Sequence, residues 1–191
     1  MDLEKLTHDV IRLVRKAGDY ARDQRLRINE KDIEVKGHGD YVSHVDKDVE
    51  EMLRDGLTKL IPDSTVMAEE TTPDAQGGSW RWIVDPIDGT TNYLIGVPVY
   101  AISIALEDRR SNPSRFGPLA IGVVAEPGLG VTYDAWRGGG ARRNGKSIQV
   151  NKHRNLHDAT VATAFPFRER DRIEQYRGLF RDIYPQVADF R

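Results

Sequence analysis

The chain has 191 residues, 39% hydrophobic and 30% charged, a composition typical of globular proteins and too apolar for a disordered one. Its 28 basic and 30 acidic side chains give a net charge of −2, so nucleic acid is not indicated as a partner. The sequence contains no cysteine, which excludes disulfides, thiolate metal sites and a cysteine nucleophile. It shows neither a signal-peptide pattern nor an apolar run of the ~20 residues that span a membrane, so we expect a cytoplasmic protein without membrane association.

Two amphipathic helices are predicted in the first third of the chain. Apolar residues from Leu3 to Ala21 recur at helical spacing, which predicts a helix over residues 3–26. A second helix is predicted from about Val45 to Leu60, because apolar residues again share one face and Pro62 follows its end.

Strands are predicted after Trp80, where β-branched and apolar segments alternate with glycines and prolines. Asn144-Gly145 is a hairpin turn signal, and the glycines at 138–140 indicate a loop. The predicted strands cover residues 80–85, 99–107, 119–125, 130–135, 147–150 and 161–164, followed by a helix over 168–182 and the beginning of a strand at the sequence VADFR.

This order of elements predicts an α+β or layered α/β fold in which sheet and helix faces pack together. We expect a single domain over residues 1–191. Residues 1–150 would supply helices and a mainly antiparallel sheet, and residues 151–191 would begin a second α/β part.

Two aspartates three residues apart, Asp85 and Asp88, stand at the end of an apolar predicted strand. Desolvated carboxylates are costly, so such a pair is normally exposed or neutralised by positive charge. Together with the carbonyl of Ile87 they offer hard oxygen ligands of the kind that suit Mg²⁺. The following residues 89–92, Gly-Thr-Thr-Asn, can present backbone N–H groups to an anion. The spacing therefore suggests phosphoryl chemistry, with a purely structural turn as the alternative.

Three further acidic residues have simpler local interpretations. Asp46 follows Ser43 by three positions, which matches a capping box at the start of a helix. Glu69 and Glu70 follow a short strand-like segment and, by themselves, indicate a solvated loop.

Residues 85–92, Asp-Pro-Ile-Asp-Gly-Thr-Thr-Asn, resemble the signature of the inositol monophosphatase family of magnesium-dependent, lithium-sensitive phosphatases. The similarity continues in the family's order at residues 39–46, 68–70, 143–146 and 164–168, and so covers essentially the whole chain. It implies the family's layered αβαβα sandwich, a homodimer, and a small phosphorylated polyol or sugar as substrate, most simply inositol monophosphate. Fructose 1,6-bisphosphate, adenosine 3′,5′-bisphosphate and histidinol phosphate are the alternative substrates.

The resemblance also assigns metal ligands by position. Glu69, Asp85 and the carbonyl of Ile87 would bind a first Mg²⁺, and Asp88 would join Asp85 at a second. Asp46 would serve a further ion or its water, which makes two or three Mg²⁺ per site.

The remaining roles implied by the resemblance concern phosphate and water. Gly89 and Thr90 would hold phosphate through their backbone N–H groups, with Asp88 beside the substrate. The Thr90 hydroxyl would orient the attacking water, acting together with Glu69 and Asp46 in catalysis.

The sequence departs from the family pattern in two places. Ala68 stands where the family has glycine before its glutamate pair, which leaves both carboxylates in place. The family's Trp-Asp motif, whose aspartate completes the second metal site, is absent from the sequence, and we expect it after residue 191 in a longer chain. The alternative is a non-catalytic metal-binding regulatory protein with a degenerate site.

Overall fold

The computed structural model describes residues 1–28, 33–37, 40–70, 78–110, 117–152, 155–166 and 169–191. Residue 39 of the family-like segment 39–46, residues 167 and 168 of segment 164–168, and the first residue of the helix predicted over 168–182 lie outside them. The chain divides into two compact units, one formed by residues 1–36 with 41–148 and the other by residues 37–40 with 149–191.

Two long helices in the first unit confirm the predictions made from hydrophobic spacing. Helix α1 spans Leu3–Arg25 and begins at Asp2, whose side chain accepts a hydrogen bond from the Lys5 amide at 3.0 Å. Helix α2 spans His44–Leu60. The apolar stripes are buried at Leu6, Val10, Val14, Ala17 and Ala21 on α1, and at Val45, Val49, Leu53 and Leu57 on α2.

A seven-stranded sheet forms the rest of the first unit's core. Its strands lie in chain order from β3 to β9, with β3 and β4 parallel and all later neighbours antiparallel, as predicted. The bounds are β3 Ser64–Ala68, β4 Trp80–Asp88, β5 Ala101–Asp108, β6 Leu119–Glu126, β7 Val131–Trp136, β8 Gly140–Arg143 and β9 Lys146–Ile148. A separate pair, β1 Ile33–Gly37 and β2 Asp40–Ser43, was not predicted.

Both helices pack on the sheet: α2 lies against β3 and β4, whereas α1 lies against β6 and β7. The central strands alternate buried and partly buried residues, as expected for a sheet with a covered face. Their fully buried side chains include Trp82, Ile102, Ile104, Leu106 and Ile121.

The two hairpins that flank β8 explain two corrections. Asn144 and Gly145 both have positive φ, 48° and 76°, so they form the predicted two-residue turn, which pairs Arg143 with Lys146. The turn therefore starts β9 at Lys146, and the prediction of a strand over 147–150 was wrong in its bounds. The loop predicted over 138–140 ends one residue too late, because Gly140 is already paired with Trp136.

Two other strand predictions were also displaced. The strand predicted over 80–85 continues to Asp88, and the one predicted over 99–107 is replaced by β5, which begins at Ala101 and ends at Asp108. Pairing between these two strands determines where each begins and ends, because Trp80 pairs with Asp108 and Asp88 pairs with Ala101.

The second unit contains β10 Thr160–Val161 and β11 Asp189–Phe190, paired in parallel, and helix α4 Ile173–Ile183. The strand predicted over 161–164 was wrong in extent, because its partner β11 is only two residues long. The predicted helix begins later than expected, at residue 173, after a 3₁₀ turn over 170–172. Among the described residues, none of the helices combines the length and apolar content that crossing a bilayer requires.

Candidate active site

A β-bulge in β4 brings Asp85 and Asp88, the two aspartates of the octapeptide formed by residues 85–92, to the same side of the sheet. Asp85 pairs with Ser103 and Asp88 pairs with Ala101, so three steps along β4 match two along β5. Residues three apart in a regular strand face opposite sides, and the extra residue cancels this difference. Pro86 lies within the irregular segment, where its missing N–H is tolerated. The predicted end of this strand at residue 85 was wrong, because β4 continues to Asp88, but both carboxylates still come together.

Asp85 is the most perturbed carboxylate of this site. Burial, the charges of Glu69 and Asp88, and a side-chain hydrogen bond with Glu69 together raise the pKa of Asp85 to about 7 from an ordinary 3.8. Its Oδ1 atom is buried and has no hydrogen-bond partner. Glu69 lies in the exposed turn directly after β3, and Asp88 is exposed at the end of β4. The three predicted ligands therefore form one electrostatic group of mutually repelling carboxylates.

Thr90 connects the octapeptide to Asp46, which lies 44 residues earlier in the chain. Its hydroxyl is 3.0 Å from the Ile87 carbonyl oxygen and 3.3 Å from Asp46 Oδ1. The Ile87 side chain is buried, with only 1% of its surface exposed, so this residue contributes its carbonyl to the site. The predicted roles of these residues thus fall on atoms that contact one another.

Asp46 caps α2 and faces the site at the same time. Its Oδ2 accepts hydrogen bonds from the Ser43 amide at 2.8 Å and the Ser43 hydroxyl at 2.7 Å, and the Val45 amide donates to the Ser43 hydroxyl. The predicted capping box is confirmed. Because the cap uses Oδ2, Oδ1 remains directed at Thr90.

The turn after Asp88 depends on glycine and on two anchoring side chains. Gly89 has a φ of 90°, and a Cβ there would lie 3.2 Å from the Val99 carbonyl oxygen, so other residues would be strained. It precedes the short helix α3, Thr90–Ile95. Asn92 donates its side-chain amide to the Val99 carbonyl at 2.8 Å, and the buried Tyr93 donates its hydroxyl to the Ala21 carbonyl at 2.7 Å.

Glu50 is a residue of this region that the sequence analysis did not single out. It is buried on α2, and its Oε2 accepts a hydrogen bond from the Glu70 amide at 2.8 Å, while its Oε1 pairs with Arg54 at 2.8 Å. Glu50 thereby holds the turn that carries Glu69. Its position four residues after Asp46, on the same face of one helix, is a signal that could have identified it.

The donor set fits a hard divalent cation, although it is not assembled around one. An orphaned carboxylate oxygen on Asp85, two carboxylates beside it and a nearby backbone carbonyl are the ligand types that Mg²⁺ accepts. Within the described ranges, however, no three His, Asp or Glu side chains already have the mutual geometry of a metal site. A cation bound here would replace the hydrogen bond between Glu69 and Asp85.

Comparison with known proteins identifies relatives over nearly the whole chain. The sequence profile of the inositol monophosphatase family matches residues 2–187. The fructose-1,6-bisphosphatase/inositol-1-monophosphatase of Aquifex aeolicus is 34% identical over 174 residues, covering 91% of this chain and 63% of the relative. The inositol-1-monophosphatase of Rhizobium meliloti is 35% identical over 97% of this chain and 68% of its own. Nus factor SuhB of Pseudomonas aeruginosa is 31% identical over 99% of this chain and 69% of its own. The chain thus spans about two thirds of the length of these curated relatives.

Solved structures agree with the sequence relatives. The extragenic suppressor protein suhB of Bartonella henselae superposes with a TM-score of 0.86 at 29% identity, covering 98% of this chain and 69% of that one. The IMPase of Thermotoga maritima gives 0.81 at 28% identity over 98% and 67% of the two chains. These matches confirm the layered α+β fold. By sequence and by structure, the chain belongs to the inositol monophosphatase family.

Proposed function

We propose that the protein is a Mg²⁺-dependent phosphatase that hydrolyses phosphate monoesters of small polyols, with inositol monophosphate as its substrate. The observation that carries this proposal is the group formed by Glu69, Asp85 and Asp88, in which burial and mutual repulsion raise the pKa of Asp85, and Asp85 Oδ1 has no hydrogen-bond partner among the described residues. Divalent cations offset this repulsion and keep such carboxylates ionised. Relatives named as inositol-1-monophosphatases support the substrate.

The resemblance to the family supplies the metal ligands of this proposal. Glu69, Asp85 and the Ile87 carbonyl would hold one Mg²⁺, Asp85 and Asp88 a second, and Asp46 would serve a third ion or its water. Bound Mg²⁺ supplies positive charge that lowers the pKa of a water ligand and stabilises the charge of a phosphate ester.

Thr90 has the geometry to orient a water molecule. Its single hydroxyl proton lies within reach of both the Ile87 carbonyl and Asp46 Oδ1, so its oxygen lone pairs remain available to accept a hydrogen bond from water. Asp46 is held by the Ser43 cap and cannot rotate away without breaking two hydrogen bonds. The backbone N–H groups of Gly89 and Thr90 would hold the phosphate at the turn that Gly89 shapes.

The test, made on the complete protein, is release of inorganic phosphate from inositol 1-phosphate, with and without Mg²⁺ and with added Li⁺. We expect Glu69→Ala and Asp88→Asn to abolish Mg²⁺-dependent release while circular dichroism stays unchanged. Glu51→Ala and Asp55→Asn, which alter exposed carboxylates on α2, are the matched controls and should retain activity. Turnover in the Glu69 or Asp88 variant at the rate of its control would refute the proposal.

Substrate preference requires a panel, because the relatives carry different names. The Aquifex aeolicus relative is named for both fructose 1,6-bisphosphate and inositol 1-phosphate. We therefore expect kcat/KM to be highest for inositol 1-phosphate, with fructose 1,6-bisphosphate, adenosine 3′,5′-bisphosphate and histidinol phosphate as competitors. A higher kcat/KM for any competitor would reassign the substrate within the same chemistry.

A non-catalytic role is the alternative of a different class, favoured by the relatives named Nus factor SuhB. It predicts Mg²⁺ binding without phosphate release from any member of the panel, and calorimetric titration with Mg²⁺ alongside the panel separates the two hypotheses.

Assembly and location are further parts of the proposal. The resemblance supports a homodimer, for which light scattering should give twice the chain mass of 21.6 kDa. A cytoplasmic location is also part of the proposal, and cell fractionation tests it.

A further inference from the structure

A polar cavity lies in the first unit, between α1 and the strands β7 and β8. Its volume is about 370 Å³, and none of its lining residues belongs to the candidate active site. Side chains at four positions on one face of α1 meet residues of the sheet there. The polar residues of the lining include His8, Arg12, Arg15, Asp134, Arg142 and Asn144.

Asp134 supplies a buried acceptor to this cavity. Only 5% of its surface is exposed, and its Oδ2 atom has no hydrogen-bond partner. Burial raises the pKa of Asp134, and the nearby charges of Arg142, His8 and Arg15 act in the opposite direction. Buried polar atoms in native proteins nearly always have a partner, so the free oxygen indicates that a donor from outside the chain completes it.

Arg142 is the residue opposite Asp134 in the β7–β8 pairing, yet it is positioned by an aromatic ring instead. Its guanidinium carbon lies 3.8 Å from the centroid of the Trp136 ring, and the His8 ring contacts Trp136 edge-on with ring centroids 6.2 Å apart. The Nη1 atom of Arg142 is buried and has no hydrogen-bond partner among the described residues. Stacking therefore holds an arginine with a free donor at the cavity.

The two arginines that α1 contributes to the cavity lining differ in whether they already have an ion-pair partner. Arg12 forms an ion pair with Asp9 on the same helix, whereas Arg15 has no ion pair within the part of the chain that the structure describes. Arg15 and Arg142 together carry two positive charges against the single carboxylate of Asp134, so the cavity has an excess of positive charge even with His8 neutral. Arginine donors of this kind favour phosphate.

We propose that this cavity binds a small phosphate ester that carries a free hydroxyl group, with the phosphate at Arg15 and Arg142 and the hydroxyl donated to Asp134 Oδ2. The two orphaned atoms, a donor on Arg142 and an acceptor on Asp134, match the two ends of such a molecule. The site is separate from the metal-binding carboxylates and does not depend on Mg²⁺. Its occupant would act as a ligand of the protein and would not be hydrolysed there.

The experiment is a titration of the ¹⁵N-labelled protein in EDTA with sn-glycerol 3-phosphate, followed by nuclear magnetic resonance. The reporters are the indole N–H of Trp136, the backbone amide of Thr132 and the side-chain amide of Asn144. Arg142 stacks on Trp136, and the Thr132 amide donates a hydrogen bond to Asn144 Oδ1 at the cavity. Inorganic phosphate and glycerol are the two half-ligand arms. We expect glycerol 3-phosphate to bind roughly tenfold more tightly than inorganic phosphate, the effect of one hydrogen bond to a charged group, and glycerol alone to cause no shifts.

Variants assign the binding to the cavity. Arg142→Gln should weaken glycerol 3-phosphate binding roughly tenfold, since it removes one hydrogen bond to a charged group. Arg143→Gln is the matched control, because the adjacent arginine lies over Tyr133 and does not line the cavity, and it should bind like the unaltered protein. Asp134→Asn preserves the shape and should reduce the advantage of glycerol 3-phosphate over inorganic phosphate.

Three results would overturn the proposal. They are the absence of shifts at the three reporters, equal affinity for glycerol 3-phosphate and inorganic phosphate, and equal weakening by Arg142→Gln and Arg143→Gln. The first of these would mean that water alone completes Asp134. Because the titration contains no Mg²⁺ and measures no hydrolysis, its outcome is independent of whether the protein proves to be a phosphatase.

Discussion

Replacing Asp85 by asparagine should stabilise the metal-free protein and remove its stabilisation by Mg²⁺. Burial and the charges of Glu69 and Asp88 raise the pKa of Asp85 to about 7 in the folded state, against 3.8 for an ordinary aspartate. Between these pH values the folded protein binds one proton more than the unfolded chain. The free energy of unfolding therefore falls as pH rises from 4 to 7, and the full penalty is present above pH 7.

The magnitude follows from the size of the shift and the exposure of the group. About three pKa units correspond to roughly 4 kcal/mol for a carboxylate fully removed from water. Asp85 is only partly buried, and solvent weakens such interactions, so we expect Asp85→Asn to raise the free energy of unfolding by about 1–2 kcal/mol at pH 8. At pH 4 the two proteins should have nearly equal stability.

Mg²⁺ should reverse the order of the two proteins. A ligand at a hundred times its Kd adds about 2.7 kcal/mol to the folded state, which is about 5–10 °C in the Tm of a chain of this size. The unaltered protein should gain this stabilisation and the Asp85 variant should not. Urea denaturation in EDTA at pH 4, 6 and 8, and thermal melts with and without Mg²⁺, provide the measurements, with Asp55→Asn as control. Equal stability at pH 8 in EDTA, or equal stabilisation by Mg²⁺, would show that the electrostatic reasoning is wrong.

Three other substitutions test how the fold supports the site. Ser43→Ala removes the cap of α2 and should cost about 1 kcal/mol in urea denaturation; an unchanged midpoint would contradict the role of the capping box. Glu107 is fully buried and its carboxylate lies 2.6 Å from Arg81 Nε. Arg81→Met removes this charge partner and should lower the free energy of unfolding by about 3–5 kcal/mol. The double variant with Glu107→Leu should recover most of this loss, and a larger loss in the double variant would refute the pairing. Gly89→Ala should cost about 1–2 kcal/mol because of its positive φ, and should lower phosphate release more than Gly122→Ala, since a Cβ at Gly122 meets no atom within 4 Å.

The helices and most strands were predictable because their signals are local. Apolar spacing along α1 and α2, and the Asn144-Gly145 turn, specify structure through neighbours only a few residues away. The capping box at Ser43 is equally local. The β1–β2 pair escaped prediction although Ile33-Glu34-Val35-Lys36 alternates apolar and polar residues, because this run is only four residues long and is followed by the Gly-rich segment 37–39.

The candidate site depends on contacts that no local pattern contains. Asp85 and Asp88 would face opposite sides of an ordinary strand, and only the register of β4 against β5 shows that they share one. The contact between Thr90 and Asp46 joins residues 44 positions apart. The resemblance to a family named Glu69, Asp85 and Asp88 as ligands of one site, which remains a prediction, and it could not reveal that Glu50 holds the turn carrying Glu69 through the Glu70 amide.

The two carboxylate oxygens of Asp46 connect the first turn of α2 to the candidate active site. Oδ2 fastens that turn to Ser43, and Oδ1 reaches Thr90 on α3. Any molecule that draws the Thr90 hydroxyl away from Asp46 changes the field at the same carboxylate that secures the helix start. Amide hydrogen exchange at the N-terminus of α2 should therefore register occupancy of the octapeptide turn. One carboxylate thus allows ligand binding to be observed through the fraying of a helix.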